Sequence, residues 1–128
     1  MGKRLSAEEK RQNEALSNWL NISDETRDIA TTYEQGFAFL LLPVRQRLLK
    51  DGYEAYADLT DADIEKALQE EKENCKKQDE ANAKEGRNTH HFIDEDAFRA
   101  TLILCREFSK LSSEDRQAIM SIRTFLDR

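Results

Sequence analysis

Residues 29–48 read IATTYEQGFAFLLLPVRQRL and include the longest apolar run of the chain. Large apolar side chains recur here at steps of three and four: Ile29, Tyr33, Phe37, Leu40, Leu41, Val44 and Leu48. This spacing is typical of one face of a helix, and further apolar side chains at Phe39, Leu42 and Leu49 occupy its other faces. The stretch therefore predicts an all-α fold in which this helix is central and the most buried.

Two helix breakers interrupt this stretch, Gly36 and Pro43. Pro43 lacks the amide that would bond the carbonyl of Phe39, and Gly36 weakens the preceding turn. We expect either a kinked helix or a division into helices 24–35 and 37–50, ended by Asp51 and Gly52. The two breakers then set a bend in the core or allow close helix packing.

The composition of the whole chain agrees with a helical fold. Ala, Glu, Lys, Leu and Arg supply 62 of its 128 residues, as in proteins built of long helices. The chain has only one Val, four Gly and one Pro, whereas Val and turn formers are more frequent in sheet proteins. The length is that of one domain, so residues 1–128 are predicted to form a single all-α domain.

Residues suited to helix N-caps divide the chain into about five helices. They are Ser6, Ser23, Thr60, Asp94 and Ser112. The last two helices are joined by only Lys110–Ser112, which predicts a C-terminal antiparallel helical hairpin.

A polar segment separates the two apolar parts of the chain. The 23 residues 69–91 contain no Leu, Ile, Val, Met, Phe, Tyr or Trp. Such a segment cannot by itself bury enough apolar surface to offset the entropy lost on ordering. We expect 69–91 to be a polar arm, either a solvated helix or an exposed loop.

The negative charge of the chain is concentrated in and around this arm. Residues Asp58–Glu85 carry −5 of the net charge of −6. We call this range the acidic arm. A localised charge speeds association with an oppositely charged surface, so the pattern favours docking on a basic protein partner. The alternative interpretation is a solvated helix with i,i+4 ion pairs such as Glu73–Lys77.

The predicted partner-binding residues combine acids of the arm with the aromatic residues that flank it. The acids are Asp61, Asp63, Glu65, Glu70, Glu71 and Glu73, and the aromatics are Tyr53, Tyr56 and Phe92. Tyrosine is favoured at binding surfaces because it offers apolar area and a hydrogen bond at low entropic cost. The alternative is that these aromatics close the core beneath the loops.

One cluster has the residue types of a metal site: His90, His91, Asp94 and Asp96, with Cys75 as a further donor. Only the spacings of Asp94 from the two histidines suit ligands on one helical turn. The alternative is a polar loop that leads into a capped helix. Nucleophile motifs and glycine-rich phosphate loops are absent from the sequence. We therefore expect neither enzymatic activity nor a cofactor or metal, and a metal-dependent enzyme ranks third.

Nucleic-acid binding is the second hypothesis, and it depends on two basic clusters. These are Lys3, Arg4, Lys10 and Arg11, and then Arg45, Arg47 and Lys50. A helix-turn-helix interpretation makes 61–72 the recognition helix, but this segment is acidic and would repel phosphates. A small helical transcription factor or nucleic-acid accessory protein is thus the alternative.

The leading hypothesis is a non-catalytic, protein-binding regulatory module. It would be an inhibitor, immunity protein or adaptor of the kind that small bacterial or phage genes encode. The start of the chain lacks the apolar segment of a secretory signal, and Cys75 and Cys105 form no CxxC motif, so we expect a cytoplasmic protein with reduced thiols and no membrane association. Because 69–91 separates two apolar clusters, we also expect a homodimer that buries both.

Overall fold

The computed structural model describes residues 6–32 and 37–122, the side chains of 37–39 excepted, and all regular secondary structure in these ranges is helical. The α-helices are α1 Ala7–Leu20, α2 Asp24–Thr32, α3 Phe37–Asp51, α4 Asp61–Lys84, α5 Glu95–Phe108 and α6 Ser113–Met120, with a short 3₁₀ helix Tyr53–Tyr56. The all-α prediction is therefore confirmed.

Each predicted cap accepts a hydrogen bond from the backbone amide three residues further on. The capping residues are Ser6, Ser23, Thr60, Asp94 and Ser112. At Ser6 and Thr60 the acid at the third helical position also bonds back to the cap amide, which completes a capping box. These local bonds satisfy amides that would otherwise lack partners, and they explain why helix starts could be predicted from sequence.

Helix α3 contains Pro43 and is followed by Gly52, as the sequence predicts. Gly52 has a φ of 80°, a conformation that residues with a Cβ atom rarely adopt, and it directs the chain into the 3₁₀ helix. The proposed bend at Gly36, like the apolar positions Tyr33 and Phe37, lies outside the residues or side chains described.

Helix α5, and not α3, is the centre of the molecule. It contacts α2, α3, α4 and the 3₁₀ helix, and most of its residues after Arg99 are buried. Among the residues whose burial is described, more of α5 than of α3 is buried, so the prediction that the helical stretch 29–48 is the most buried is not confirmed. Helix α3 buries Leu40, Leu41, Val44 and Leu48, but Leu49 is 72% exposed. An apolar run shows that a helix is near the core, whereas the number of neighbours depends on tertiary packing.

One apolar core joins the beginning, middle and end of the described chain. Four residues from different helices are almost completely buried in it: Trp19 of α1, Ile64 of α4, Phe108 of α5 and Ile119 of α6. The rings of Trp19 and Phe108 meet edge to face with centroids 5.4 Å apart. The two apolar clusters that the sequence separates are therefore parts of a single core.

The most extensive pairings of helices are α1 with α6 and α3 with α5, followed by α4 with α5. Ion pairs join Asp61 to Arg106 and Glu65 to Arg99, so α4 and α5 run antiparallel. The predicted hairpin of the last two helices has its short link at Ser109–Ser112, but the main packing neighbour of α6 is α1.

Candidate interaction surface

A ladder of polar contacts runs along the whole length of α4. From one end to the other it joins Asp61 to Arg106, Glu65 to Arg99, Lys72 to Glu95, and Asp79 to His91. In the last pair, Asp79 lies on α4 and His91 lies in residues 85–94, which precede α5 and which we call the return loop. The acidic arm thus does not project freely, because the chain from the return loop through α5 folds back along it.

The inner face of α4 changes from apolar to polar along its length. Ile64 and Leu68 are buried, and the same face continues at steps of three and four through Glu71, Cys75, Asp79 and Asn82. These last four residues are half-buried, and we call them the polar stripe. Hydrogen bonds take the place of apolar packing here, so a search for apolar periodicity could not detect this contact.

Asp79 is the centre of the contact between the polar stripe and the return loop. Its Oδ1 accepts from the Thr89 hydroxyl at 2.9 Å and lies 2.6 Å from His91 Nδ1. Its Oδ2 accepts from the His91 backbone amide at 3.1 Å, and Asn82 donates to Thr89 at 3.0 Å. The backbone hydrogen bond from His91 is the main cause of a lowered pKa at Asp79, and the His91 and Thr89 side-chain bonds lower it further.

The cluster that has the residue types of a metal site is dispersed by this arrangement. His91 pairs with Asp79, Asp94 caps α5, and Asp96 pairs with Arg99. In the described ranges, no three His, Cys, Asp or Glu side chains are placed so that they could hold a metal ion. A cleft of about 450 Å³ does lie between α4 and the return loop, and it is lined by Cys75, Asp79, His90 and His91 among others.

Both thiols have raised pKa values and are therefore protonated at neutral pH. Burial raises the pKa of the Cys105 thiol to about 12. Burial, followed by the charge of Glu71 and a hydrogen bond to it, raises the pKa of Cys75. A thiol in this state is a poor nucleophile and a poor metal ligand.

The predicted acids of the arm fall into two groups. Asp61 and Glu65 pair with arginines of α5, Asp63 closes the capping box with Thr60, and Glu71 accepts from the Cys75 thiol. The exposed acids Glu70, Glu73 and Glu80 form no ion pair within the described part of the chain. Lys66, Lys77 and Lys84 share this outer face, so it has mixed charge and is less acidic than the sequence total suggests.

The three predicted aromatic anchors also fall into two groups, two that pack on the core and one that is exposed. Tyr56 is buried and donates to Asp51, and burial, with that bond, raises its pKa to about 12. Tyr53 packs against Phe108 and lies under the Arg116 guanidinium, 4.3 Å from its ring centroid. Both tyrosines therefore close the core, as the alternative interpretation holds, and the prediction of Tyr56 as a docking residue is corrected because its side chain is inaccessible. Phe92 is 92% exposed.

The described residues of the two basic clusters serve mainly in internal contacts. Arg11 pairs with Asp115, Arg45 donates to the carbonyl of Met120, and Arg47 lies over the ring of Phe98. Lys10 and Lys50 are exposed, while Lys3 and Arg4 lie outside the described residues. Nucleic-acid binding gains no support from this arrangement.

The residues that organise this surface without having been predicted are Arg99 and Arg106 of α5, with Asp79 and Thr89. Arg106 is largely buried and binds Glu25 through two bonds of 2.9 and 3.1 Å, besides its bond to Asp61. Burial opposes the charge of Arg106, but these acids together outweigh it and raise its pKa. The two arginines are seven residues apart on one helix face, a spacing that could have indicated two successive contacts with an acidic neighbour.

None of the helices in the described ranges is both long enough and apolar enough to cross a membrane. The chain matches no known protein family, no curated protein and no solved structure, so its function has to be inferred from its own residues.

Proposed function

We propose that this chain is a non-catalytic, protein-binding regulatory module of the inhibitor, immunity-protein or adaptor type, and that α4 with the return loop forms its contact surface. We place it in the cytoplasm of a bacterium or phage-infected cell, which fits its free cysteines. The observation that carries the proposal is the exposure of Phe92, 92% accessible beside a long polar helix.

Phe92 differs from a loose apolar residue at a loop tip because both of its flanks are fixed. On one side, the amide and ring of His91 bond to Asp79. On the other, Asp94 accepts from the amide of Ala97 at the start of α5. An aromatic side chain on fixed backbone loses little entropy on binding, which is the property of a binding anchor.

The charge around this anchor supports a partner with a basic surface. Asp58, Asp63, Glu70, Glu73 and Glu80 are exposed along the arm. Such charges act mainly on the rate of encounter and on partner choice, whereas buried apolar contact supplies most of the affinity. Phe92 and the exposed acids therefore have separate roles, the first in holding the partner and the second in attracting it.

The protonated state of both thiols supports a function without covalent catalysis.

The homodimer expected from the sequence stays a prediction, although a single core now joins the two apolar clusters. Its interface would centre on Leu49 or Phe92, the large apolar side chains that are exposed in the described ranges. Light scattering at micromolar concentration tests it, and a mass of 14.9 kDa contradicts it.

The experiment for the proposed function uses the partner captured from the native host, with association measured as salt is varied. Phe92→Ala should weaken binding at least tenfold, chiefly through faster dissociation. The double variant Glu70→Lys, Glu73→Lys should associate more slowly at low salt and approach the wild-type rate at high salt, where charges are screened.

A matched control changes the net charge equally at exposed sites elsewhere, with Glu14→Lys on α1 and Asp28→Lys on α2. It should slow association less than the arm variant. Unchanged binding of the Phe92 variant would contradict the proposed surface, and equal effects of the two charge variants would contradict a specific role for the arm.

A further inference from the structure

We infer that Asp79 is the positioning residue of this surface: it clamps the return loop onto α4 and thereby sets where Phe92 stands. The inference extends the proposed function, on which its biological purpose rests, but the clamp itself is a property of the chain alone. It assigns a role to an acid that the charge pattern alone would place among solvated residues.

The geometry of the clamp is specific because one carboxylate holds two residues of the loop. Oδ1 accepts from Thr89 at 2.9 Å and meets His91 Nδ1 at 2.6 Å, while Oδ2 accepts from the His91 amide at 3.1 Å. Asn82, one turn further along α4, holds the Thr89 hydroxyl from its other side. The contacts end at the residue before Phe92, so they determine where its backbone lies.

The return loop has little apolar packing with which to hold itself. Ile93 is half-buried, Phe92 is exposed, and the remaining residues of 85–94 are polar or glycine. Ordering a backbone costs about 1–2 kcal/mol per residue in conformational entropy. Side chains of the polar stripe oppose that cost through four hydrogen bonds to the loop, and Asp79 accepts three of these four.

The bond between the His91 ring and Asp79 requires a hydrogen on Nδ1. A neutral His91 can donate to Asp79 only as the Nδ1–H tautomer, and a protonated ring also carries hydrogen on Nδ1. The other charged or titratable groups around the cleft are Lys72, Cys75, Lys76, Glu80, Arg87, His90 and Glu95. Lys72 pairs with Glu95 and Arg87 pairs with Glu85, so these two cations do not compete with the return loop for Asp79.

The first test is amide hydrogen exchange on the chain alone, with Asp79→Ala, Asp79→Asn and the control Glu80→Ala. Glu80 is the exposed neighbour of Asp79 on α4 and makes no bond to the loop within the described residues. Asp79→Ala should raise exchange at the His91 amide at least tenfold, because that amide loses its bond to Asp79, and leave the amides of α5 after Ala100 unchanged. Asp79→Asn, which keeps one acceptor oxygen, should give an intermediate increase.

The second readout is the tautomer of His91. It is measured from the nitrogen chemical shifts of the ring at a pH where the ring is neutral. Wild type should show Nδ1–H, and Asp79→Ala should shift the ring toward Nε2–H, a change that general loosening of the chain would not produce. Unchanged exchange at the His91 amide, an equal increase in the Glu80 control, or an Nε2–H tautomer in wild type would each overturn the inference.

Failure of this inference and failure of the proposed function can be told apart. If Phe92→Ala leaves partner binding unchanged while Asp79→Ala loosens the loop, the clamp stands and the proposed surface falls. If Phe92→Ala weakens binding while Asp79→Ala alters neither exchange nor affinity, the proposed surface stands and the clamp falls.

Discussion

The indole Nε1 of Trp19 donates a hydrogen bond to the backbone carbonyl of Leu104 over 3.1 Å. Trp19 is completely buried, and the carbonyl it satisfies belongs to the central helix α5. A single side chain of α1 therefore supplies both apolar packing and a polar partner to the middle of the core. This contact joins the first described helix to residues more than eighty positions away, across the polar segment between them.

Replacing Trp19 should lower the free energy of unfolding more than replacing any exposed apolar residue of the described chain. Trp19→Ala should lower the free energy of unfolding by about 3–5 kcal/mol, because it removes the largest buried side chain and leaves a cavity. Trp19→Phe keeps most of the ring but leaves the Leu104 carbonyl without its donor, at about 1–3 kcal/mol. Urea denaturation followed by circular dichroism measures both. Leu49→Ala is the control, with a change within about 0.5 kcal/mol, and equal losses for Trp19→Ala and Leu49→Ala would contradict the described core.

Arg106 should contribute more to stability than an exposed arginine does. It is largely buried and bonds Glu25 of α2, Asp61 of α4 and the carbonyl of Leu59. Arg106→Ala should lower the free energy of unfolding by about 1.5–3 kcal/mol, the range for hydrogen bonds to charged groups. The control Arg27→Ala removes an exposed ion pair with Asp24 within α2 and should change the free energy of unfolding by about 0.5 kcal/mol or less. If thermal or urea unfolding gives equal losses in the free energy of unfolding for the two variants, the described contacts of Arg106 with α2 and α4 are contradicted.

Acid should weaken the contact between α1 and α6 through Asp115. Burial opposes the charge of this carboxylate, but hydrogen bonds from Arg11 and Asn18 outweigh burial and lower its pKa below the ordinary 3.8. The stabilisation is thus complete above the unfolded-state pKa and is lost as the pH falls through the lowered folded-state pKa.

The comparison that isolates this effect is wild type with Asp115→Asn, unfolded by urea between pH 6 and pH 2. The free energy of unfolding of Asp115→Asn should be lower at pH 6 and should fall less steeply below pH 4. Parallel pH profiles for the two proteins would show that Asp115 titrates alike in the folded and unfolded states.

Limited proteolysis should cut first within residues 85–90. These residues follow the end of α4, five of the six are exposed, and Gly86 has a φ of 81°. Residues 69–84 should resist longer because they are helical and the polar stripe is covered by the return loop. Mass spectrometry of the first fragments identifies the site, and a first cut between 69 and 84 would contradict the described packing of α4. Asp79→Ala should accelerate the cut at 85–90 while Glu80→Ala should not.

Sequence alone was sufficient for the local features of the fold. The N-caps at Ser6, Ser23, Thr60, Asp94 and Ser112 could be predicted because a cap involves residues three apart, whose geometry any helix start repeats. The glycine that follows α3 was predictable for a similar reason, since Gly52 adopts the positive φ that a glycine permits. The apolar periodicity likewise identified α3 as a core helix.

Only part of the candidate site could be predicted from the sequence. The exposure of Phe92, the burial of Tyr56 and the partial burial of Tyr53 could not be distinguished, because all three aromatics flank the same polar segment in sequence. Nor does a net charge over Asp58–Glu85 indicate which acids are free. Asp61 and Glu65 meet arginines 45 and 34 positions away, whereas Glu70 and Glu73 face solvent.

The amino-acid sequence by itself thus determined that this protein is helical, where its helices begin, and that its middle is polar. Tertiary structure decided that α5 is the central helix, that α4 and α5 form the antiparallel pair, and that Asp79 holds the return loop. The physical reason is the range of the interactions. Caps and turns depend on neighbours within about four residues, while the partners of a buried tryptophan, an arginine or a carboxylate depend on which distant segments the common core brings together.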